Sequence, residues 1–166
     1  MESMVTINKT TTLEKALKEA SILGAFKKFC NIYNNVDKKT KLRNILNKSC
    51  DINSTIEIIF KNEVGFDIEA GEINRMYELI EAFLRKSSYR QRISESIKKE
   101  LIIKQGYKCA ICGKPIDVKA HADHIVPFIY VGDELNNNLQ MLCSHCNESK
   151  NKSIDYQIRF LLNLVK

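Results

Sequence analysis

Four cysteines, arranged as Cys109-Ala-Ile-Cys112 and Cys143-Ser-His-Cys146, constrain this chain more than any other feature. A C-x-x-C turn lets two thiolates reach one ion, and two such turns complete a tetrahedral sulfur set that suits zinc. A redox dithiol and plain packing cysteines are the rival readings. They are weaker because these four cysteines pair in sequence while Cys30 and Cys50 stand alone. The start, Met1 to Thr12, is polar and lacks the apolar core of a signal peptide. No run approaches the ~20 apolar residues of a membrane span. A cytosolic setting is therefore expected, and its reducing conditions argue against disulfides. Four protein ligands leave no open position, so this metal would brace the fold rather than act on a substrate. Bracing is needed, since roughly 60 residues with two tiny strands bury little core.

A chain of 166 residues suits one domain, or one small domain with an appendage. The first half reads as helical. Thr11 with Glu14 suggests a capping box, and Leu13, Leu17, Leu23, Phe26, Cys30 and Tyr33 recur at helical spacing behind it. A short basic helix is expected around Lys41–Lys48. Thr55–Val64 stays open between strand and helix: Ile56, Ile58 and Phe60 alternate, but one short helix fits equally well. Ile73, Met76, Tyr77, Ile80, Phe83 and Leu84 mark an amphipathic helix, which Ser87-Ser88 breaks. Ile93, Ile97 and Leu101 predict a basic helix that Gly106 ends as a C-cap. Turn residues then dominate from Tyr107 to Lys152, with His121–Val126 and Leu139–Leu142 as the plausible strands. Ile154, Ile158, Leu161, Leu162 and Val165 close the chain as a helix. The expected class is α+β and mostly helical: a helical region, residues 1–88, then a module at 89–166.

The net charge is +6 and the pI near 9.0, which leans weakly toward a polyanionic partner. The distribution says more. Residues 27–48 carry net +6, residues 51–81 net −6, and residues 85–119 net +7. Such blocks are commonly solvated faces. The opposed pair could also meet within the chain, pair between chains or dock a partner.

Between and beside the cysteine pairs stand Ala122-Asp123-His124-Ile125-Val126-Pro127, then Asn138-Leu139-Gln140-Met141-Leu142-Cys143, then Cys146-Asn147-Glu148-Ser149-Lys150. With these elements in this order, Cys109–Lys152 resembles the HNH endonucleases, in the subgroup whose ββα-metal motif is braced by a four-cysteine zinc. The resemblance covers about a quarter of the chain and none of residues 1–88. It implies metal-dependent hydrolysis of phosphodiester bonds. His124 would be the base, since an imidazole titrates near neutral pH. Asp123 and Asn147 would hold one catalytic divalent ion at the scissile phosphate. Asn138 matches the middle letter of the motif and would brace the histidine strand. The final histidine of the family name is Asn147 here, a variant that related nucleases carry together with a lysine three residues on, as Lys150 stands. An all-oxygen pair suits Mg²⁺ or Mn²⁺.

Other candidates rank lower. His121, Lys150 and Lys152 could touch nucleic acid, against plain solvent or supporting roles. His145 could hydrogen-bond near the zinc or touch a nucleic-acid backbone. Asp133 and Glu134 read as loop solvation, and Cys30 and Cys50 as packing or surface residues. DNA is the substrate this reading favours, with RNA left open. The setting would be a bacterial or phage cytoplasm, with a restriction or phage-defence effector as one use. The helical half would serve a regulatory partner or self-association. The competing class is an inactive zinc-knuckle adaptor that binds nucleic acid without cutting it.

Overall fold

A computed structural model describes the backbone of residues 2–165 and the side chains of residues 12–165. Two compact units divide the chain: Met1–Leu84 with Ile158–Lys166, and Arg85–Gln157. The architecture is α+β and mostly helical, as the periodicities imply.

The first unit opens with α1 (Glu2–Ile32). Neither glycine nor proline stands between residues 2 and 11, and the helix runs through Thr11 without a break. The expected start at a Thr11–Glu14 capping box is therefore corrected; the Thr11 side chain lies outside the described residues. Helix α2 (Val36–Lys48) begins earlier than the basic run suggests, because Asn35 Oδ1 accepts the Lys38 N–H at 2.9 Å. Thr55–Val64 is helical. Asp51 caps α3 (Ile52–Ile59) by accepting Ser54 N–H. The chain then widens into a π-helical turn, Phe60–Val64, before Gly65 at φ +70°. Ile56, Ile59 and Phe60 are buried together, and that three-and-four spacing selects helix over strand. Helix α4 (Ile73–Arg85) supplies Phe83 to an aromatic core. There Phe29 stacks on Phe60 at 5.1 Å and meets Phe83 edge-on at 5.9 Å. Arg75 Nη2 binds Glu19 at 2.9 Å, and the Tyr33 hydroxyl donates to Glu63 at 2.8 Å. Burial, then that contact, pushes the Tyr33 phenol up.

The second unit starts with an irregular strap, residues 86–94, and α5 (Glu95–Lys104), capped by Ser94. Gly106 at φ +60° and Tyr107 at φ 57° turn the chain into the first cysteine pair. Strand β1 (His121–His124) pairs antiparallel with β2 (Leu139–Leu142), with His121 opposite Leu142 and His124 opposite Leu139. The expected strand ran on to Val126. It stops at His124 because the Asn138 amide, rather than a strand partner, takes both polar groups of Val126, and Pro127 follows. A short helix α6 (Phe128–Val131) lies in the connection. After β2 come α7 (Ser144–Lys150) and α8 (Ile154–Asn163), the latter crossing from one unit's residues to the other's. Gln105 extends the sheet: Nε2 donates to the Met141 carbonyl at 3.0 Å, and Oε1 accepts Met141 N–H at 2.8 Å.

Candidate functional site

The four paired cysteines converge. Their sulfurs lie within 4.8 Å of one another, and Cys112 and Cys143 Sγ are 3.8 Å apart. A tetrahedron with metal–sulfur bonds of about 2.3 Å has edges of about 3.8 Å. Among the described residues this is the one group of three or more His, Cys, Asp or Glu side chains close enough to share an ion. Burial opposes ionisation of Cys109, but backbone N–H groups of Cys112, Cys143 and Ile111 bond its sulfur and bring it down to about 7. Burial pushes the Cys146 thiol up. Leu142, Ile111 and Ile116 pack around these sulfurs. The donor set fits one tetrahedral metal ion.

The hairpin presents the second constellation. His124 is 3% exposed, and its Nε2 lies 2.8 Å from Asp133 Oδ1. A carboxylate only accepts, so Nε2 carries a proton, and in the neutral form of the ring the lone pair is on Nδ1. That Nδ1 is buried with no protein partner. Phe128 meets the imidazole edge-on at 5.6 Å. On the adjacent residue, Asp123 Oδ2 takes Lys150 Nζ at 2.8 Å and Gln140 Nε2 at 3.4 Å. Both contacts fall on one oxygen, which leaves Oδ1 able to bind a cation. Asn138, 4% exposed, spends its amide on Val126: Oδ1 accepts the N–H at 2.7 Å and Nδ2 donates to the carbonyl at 2.9 Å.

Asp123, His121 and Asn147 line one cleft of about 940 Å³, with Arg90, Arg92 and Lys152 along its sides. His124 and Asp133 line an adjacent recess of about 340 Å³. Gln91, Arg92 and Ile93 border both. His121 Nε2 lies 3.2 Å from Ser144 Oγ. His145 and Lys152 are exposed.

Two sequence readings need correction. Lys150 is fully buried, with Nζ on Asp123 and, at 2.6 Å, on the His124 carbonyl. It has no face left for a nucleic-acid phosphate; it ties α7 to β1. Asp133 is not loop solvation, because its carboxylate holds the His124 ring and also accepts Gln91 N–H at 2.8 Å. Its one sequence signal is the preceding Gly132. That residue has φ +62°, and a β-carbon added there would lie 3.1 Å from Lys86 Cβ, so the position suits glycine and fixes the turn presenting Asp133. Gln140 is also buried beside Asp123, and nothing in its spacing marks it.

A hairpin with an Asp-His strand, an Asn-bearing helix and a four-sulfur cluster at its base defines the ββα-metal class. The family model described as HNH endonuclease matches residues 109–163, so this segment is similar to that family over the same residues that form the hairpin, α7 and the cysteine cluster. No curated protein and no solved structure matches the chain. No helix among the described residues is long and apolar enough to cross a membrane.

Proposed function

We propose that the protein is a metal-dependent endonuclease that hydrolyses phosphodiester bonds in DNA, with zinc on the four cysteines. The observation that carries this reading is the His124 imidazole, whose Nε2 is occupied by Asp133 and whose buried Nδ1 has no protein partner. A buried acceptor left unbonded costs about 1–3 kcal/mol, so Nδ1 keeps its lone pair for a water delivered with the substrate. His124 Nδ1 takes the proton of that water as its oxygen attacks phosphorus in line. The P–O3′ bond breaks, leaving a 5′ phosphate. Asp133 keeps the ring in the acceptor tautomer, and Asn138 holds the strand that carries it. Asp123 Oδ1 and the Asn147 amide oxygen would hold Mg²⁺ or Mn²⁺, which supplies Lewis acidity to the phosphate and the leaving oxygen. Lys150 and Gln140 orient the Asp123 carboxylate from its other oxygen.

Residues 1–88 form, on this reading, a regulatory half that docks a partner or second copy. A compact nuclease with few residues for base readout needs control from elsewhere, as a cytoplasmic restriction or phage-defence effector would. The test is plasmid nicking with Mg²⁺ or Mn²⁺, against EDTA and against His124→Ala. Cleavage that needs both the ion and His124 supports the reading. DNA binding without cleavage under every condition would assign the adaptor role instead.

A further inference from the structure

The strap ahead of α5 lies outside the segment matched by the family model, yet it is built onto the catalytic loop. Gln91 N–H donates to Asp133 Oδ2 at 2.8 Å, while the other oxygen of that carboxylate holds His124. Lys86 Nζ donates to the Ile129 carbonyl. The Arg90 guanidinium sits 5.7 Å over the Phe128 ring, and that same ring meets His124. A loop tied down at three points beside a proton acceptor is fixed relative to the reacting atoms.

The strap's side chains face solvent at that place. Arg90 and Arg92 are exposed and line the cleft that also holds Asp123 and Asn147. Arg92 borders the His124 recess as well. Five cations and two carboxylates line this cleft. One of the cations, Lys98, is already paired with Glu95 at 2.7 Å. An excess of fixed positive charge in a groove that is wide, polar and open suits a strand of phosphates, each of which arginine can take bidentately.

We infer that Tyr89–Arg92 is a DNA-gripping strap, in which Arg90 and Arg92 each bind a backbone phosphate flanking the scissile one. Asp133 is then the common anchor that sets those phosphates relative to His124. This rests on the nuclease reading for the identity of the scissile phosphate, but its test does not need cleavage.

The test measures binding of a fluorescein-labelled DNA duplex by anisotropy, with the full chain and no added divalent ion, from 50 to 200 mM NaCl. Three proteins are compared: wild type, Arg90→Ala/Arg92→Ala and Arg90→Lys/Arg92→Lys. Each lost phosphate contact lowers the slope of log K against log salt by about 0.9, so the alanine pair should lose ~1.8 of slope. Its affinity at 0.1 M salt should fall roughly 10–60-fold. The lysine pair should keep the slope. Unchanged zinc content in all three shows that the module is intact. An alanine pair with wild-type slope and affinity overturns the strap, as does a wild-type protein that does not bind DNA. A slope change seen only with labelled RNA overturns DNA as the occupant. Wild-type protein that binds with the expected slope yet never cuts leaves the strap standing and removes the nuclease. An alanine pair that cuts dilute DNA at the wild-type rate does the reverse.

Discussion

Lys150→Met separates a buried structural cation from a surface one. Its ammonium is inaccessible to solvent and touches the Asp123 carboxylate at 2.8 Å and the His124 carbonyl at 2.6 Å. Methionine keeps the stem and removes the charge. Breaking one side of a buried ion pair costs ~3–5 kcal/mol, because the partner charge stays behind uncompensated. Asp123 is 15% exposed and gains some solvation, which puts the pair near the low end, ~3 kcal/mol. The orphaned carbonyl adds ~1 kcal/mol. In a unit of roughly 70 residues, each kcal/mol moves the midpoint by ~4–8 °C, so a combined loss of ~4 kcal/mol should lower it by at least ~16 °C. Because the chain has two compact units, the assay should report on this one alone. Release of zinc to a colorimetric chelator during heating does so. Cleavage should fall by at least ~10-fold at a temperature where the fold persists, since Asp123 loses its orientation. Adding Asp123→Leu should restore part of the stability and none of the activity, as neither charge then remains. A zinc-release midpoint within ~3 °C of wild type for Lys150→Met alone would refute the reasoning, leaving Lys150 as no more than an apolar stem.

Four further outcomes are expected. Purified reduced protein should hold one zinc per chain, and Cys112→Ser should lose it and unfold Arg85–Gln157, read by elemental analysis and proteolysis; protons should compete for the same thiolates, so metal release should rise as pH falls. His124→Ala should slow cleavage ~10²–10⁴-fold while DNA affinity stays near wild type. Asp133→Asn should lower kcat by ~10²-fold with KM little changed, and Asp133→Glu should recover part of it, which a merely structural carboxylate would not do. Asn138→Ala should destabilise the module by ~1–3 kcal/mol, measured by urea denaturation with zinc release as the probe, because it strands the buried peptide groups of Val126.

What the sequence disclosed depends on how local each cause is. The cysteine cluster was legible because C-x-x-C is a local geometry repeated, and the structure brings its sulfurs to 3.8 Å at one edge. Strand β2 was legible in full, since its residues are set by pairing alone. The sequence pattern carries strand β1 two residues past its end at His124. Its end is set by Asn138, twelve positions from Val126, and no local signal carries that. Thr55–Val64 was ambiguous because Ile56, Ile58 and Phe60 satisfy a two-residue period while Ile56, Ile59 and Phe60 satisfy a helical one; burial of Ile59 against exposed Ile58 decides between them. Lys150 misled because lysine is rarely buried unless paired, and its partner Asp123 is distant in sequence. Asp133 reads as loop solvation for a similar reason. A loop carboxylate is ordinarily solvated, and only the folded hairpin shows that it faces an imidazole.

The four-cysteine cluster and the Asp123–His124 hairpin are chemically separate, yet one short helix joins them. Cys143 and Cys146 stand at the start of α7 as two of the four sulfurs. The residue after Cys146 is Asn147, and one turn further on Lys150 reaches back to Asp123 and to the His124 carbonyl. A seven-residue helix has too little propensity to hold a register by itself. Its N-terminal end is fixed by the sulfurs and its C-terminal end by the buried ammonium, so Asn147 has little freedom between them. With a metal on the four sulfurs, the module would convert that ion into the placement of the Asn147 amide in the cleft that Asp123 of β1 also lines. This makes a specific demand on the order of loss. Removing the metal should free Asn147 before it frees His124, whose ring is held by Asp133 and whose strand is held by Asn138, neither of which touches the cluster. Amide exchange after chelation should therefore rise first across Ser144–Lys150 and later at His124–Val126 as the rest of the unit unfolds; simultaneous loss would mean that zinc supports the hairpin directly and that the Asp133 and Asn138 contacts do not delay its opening.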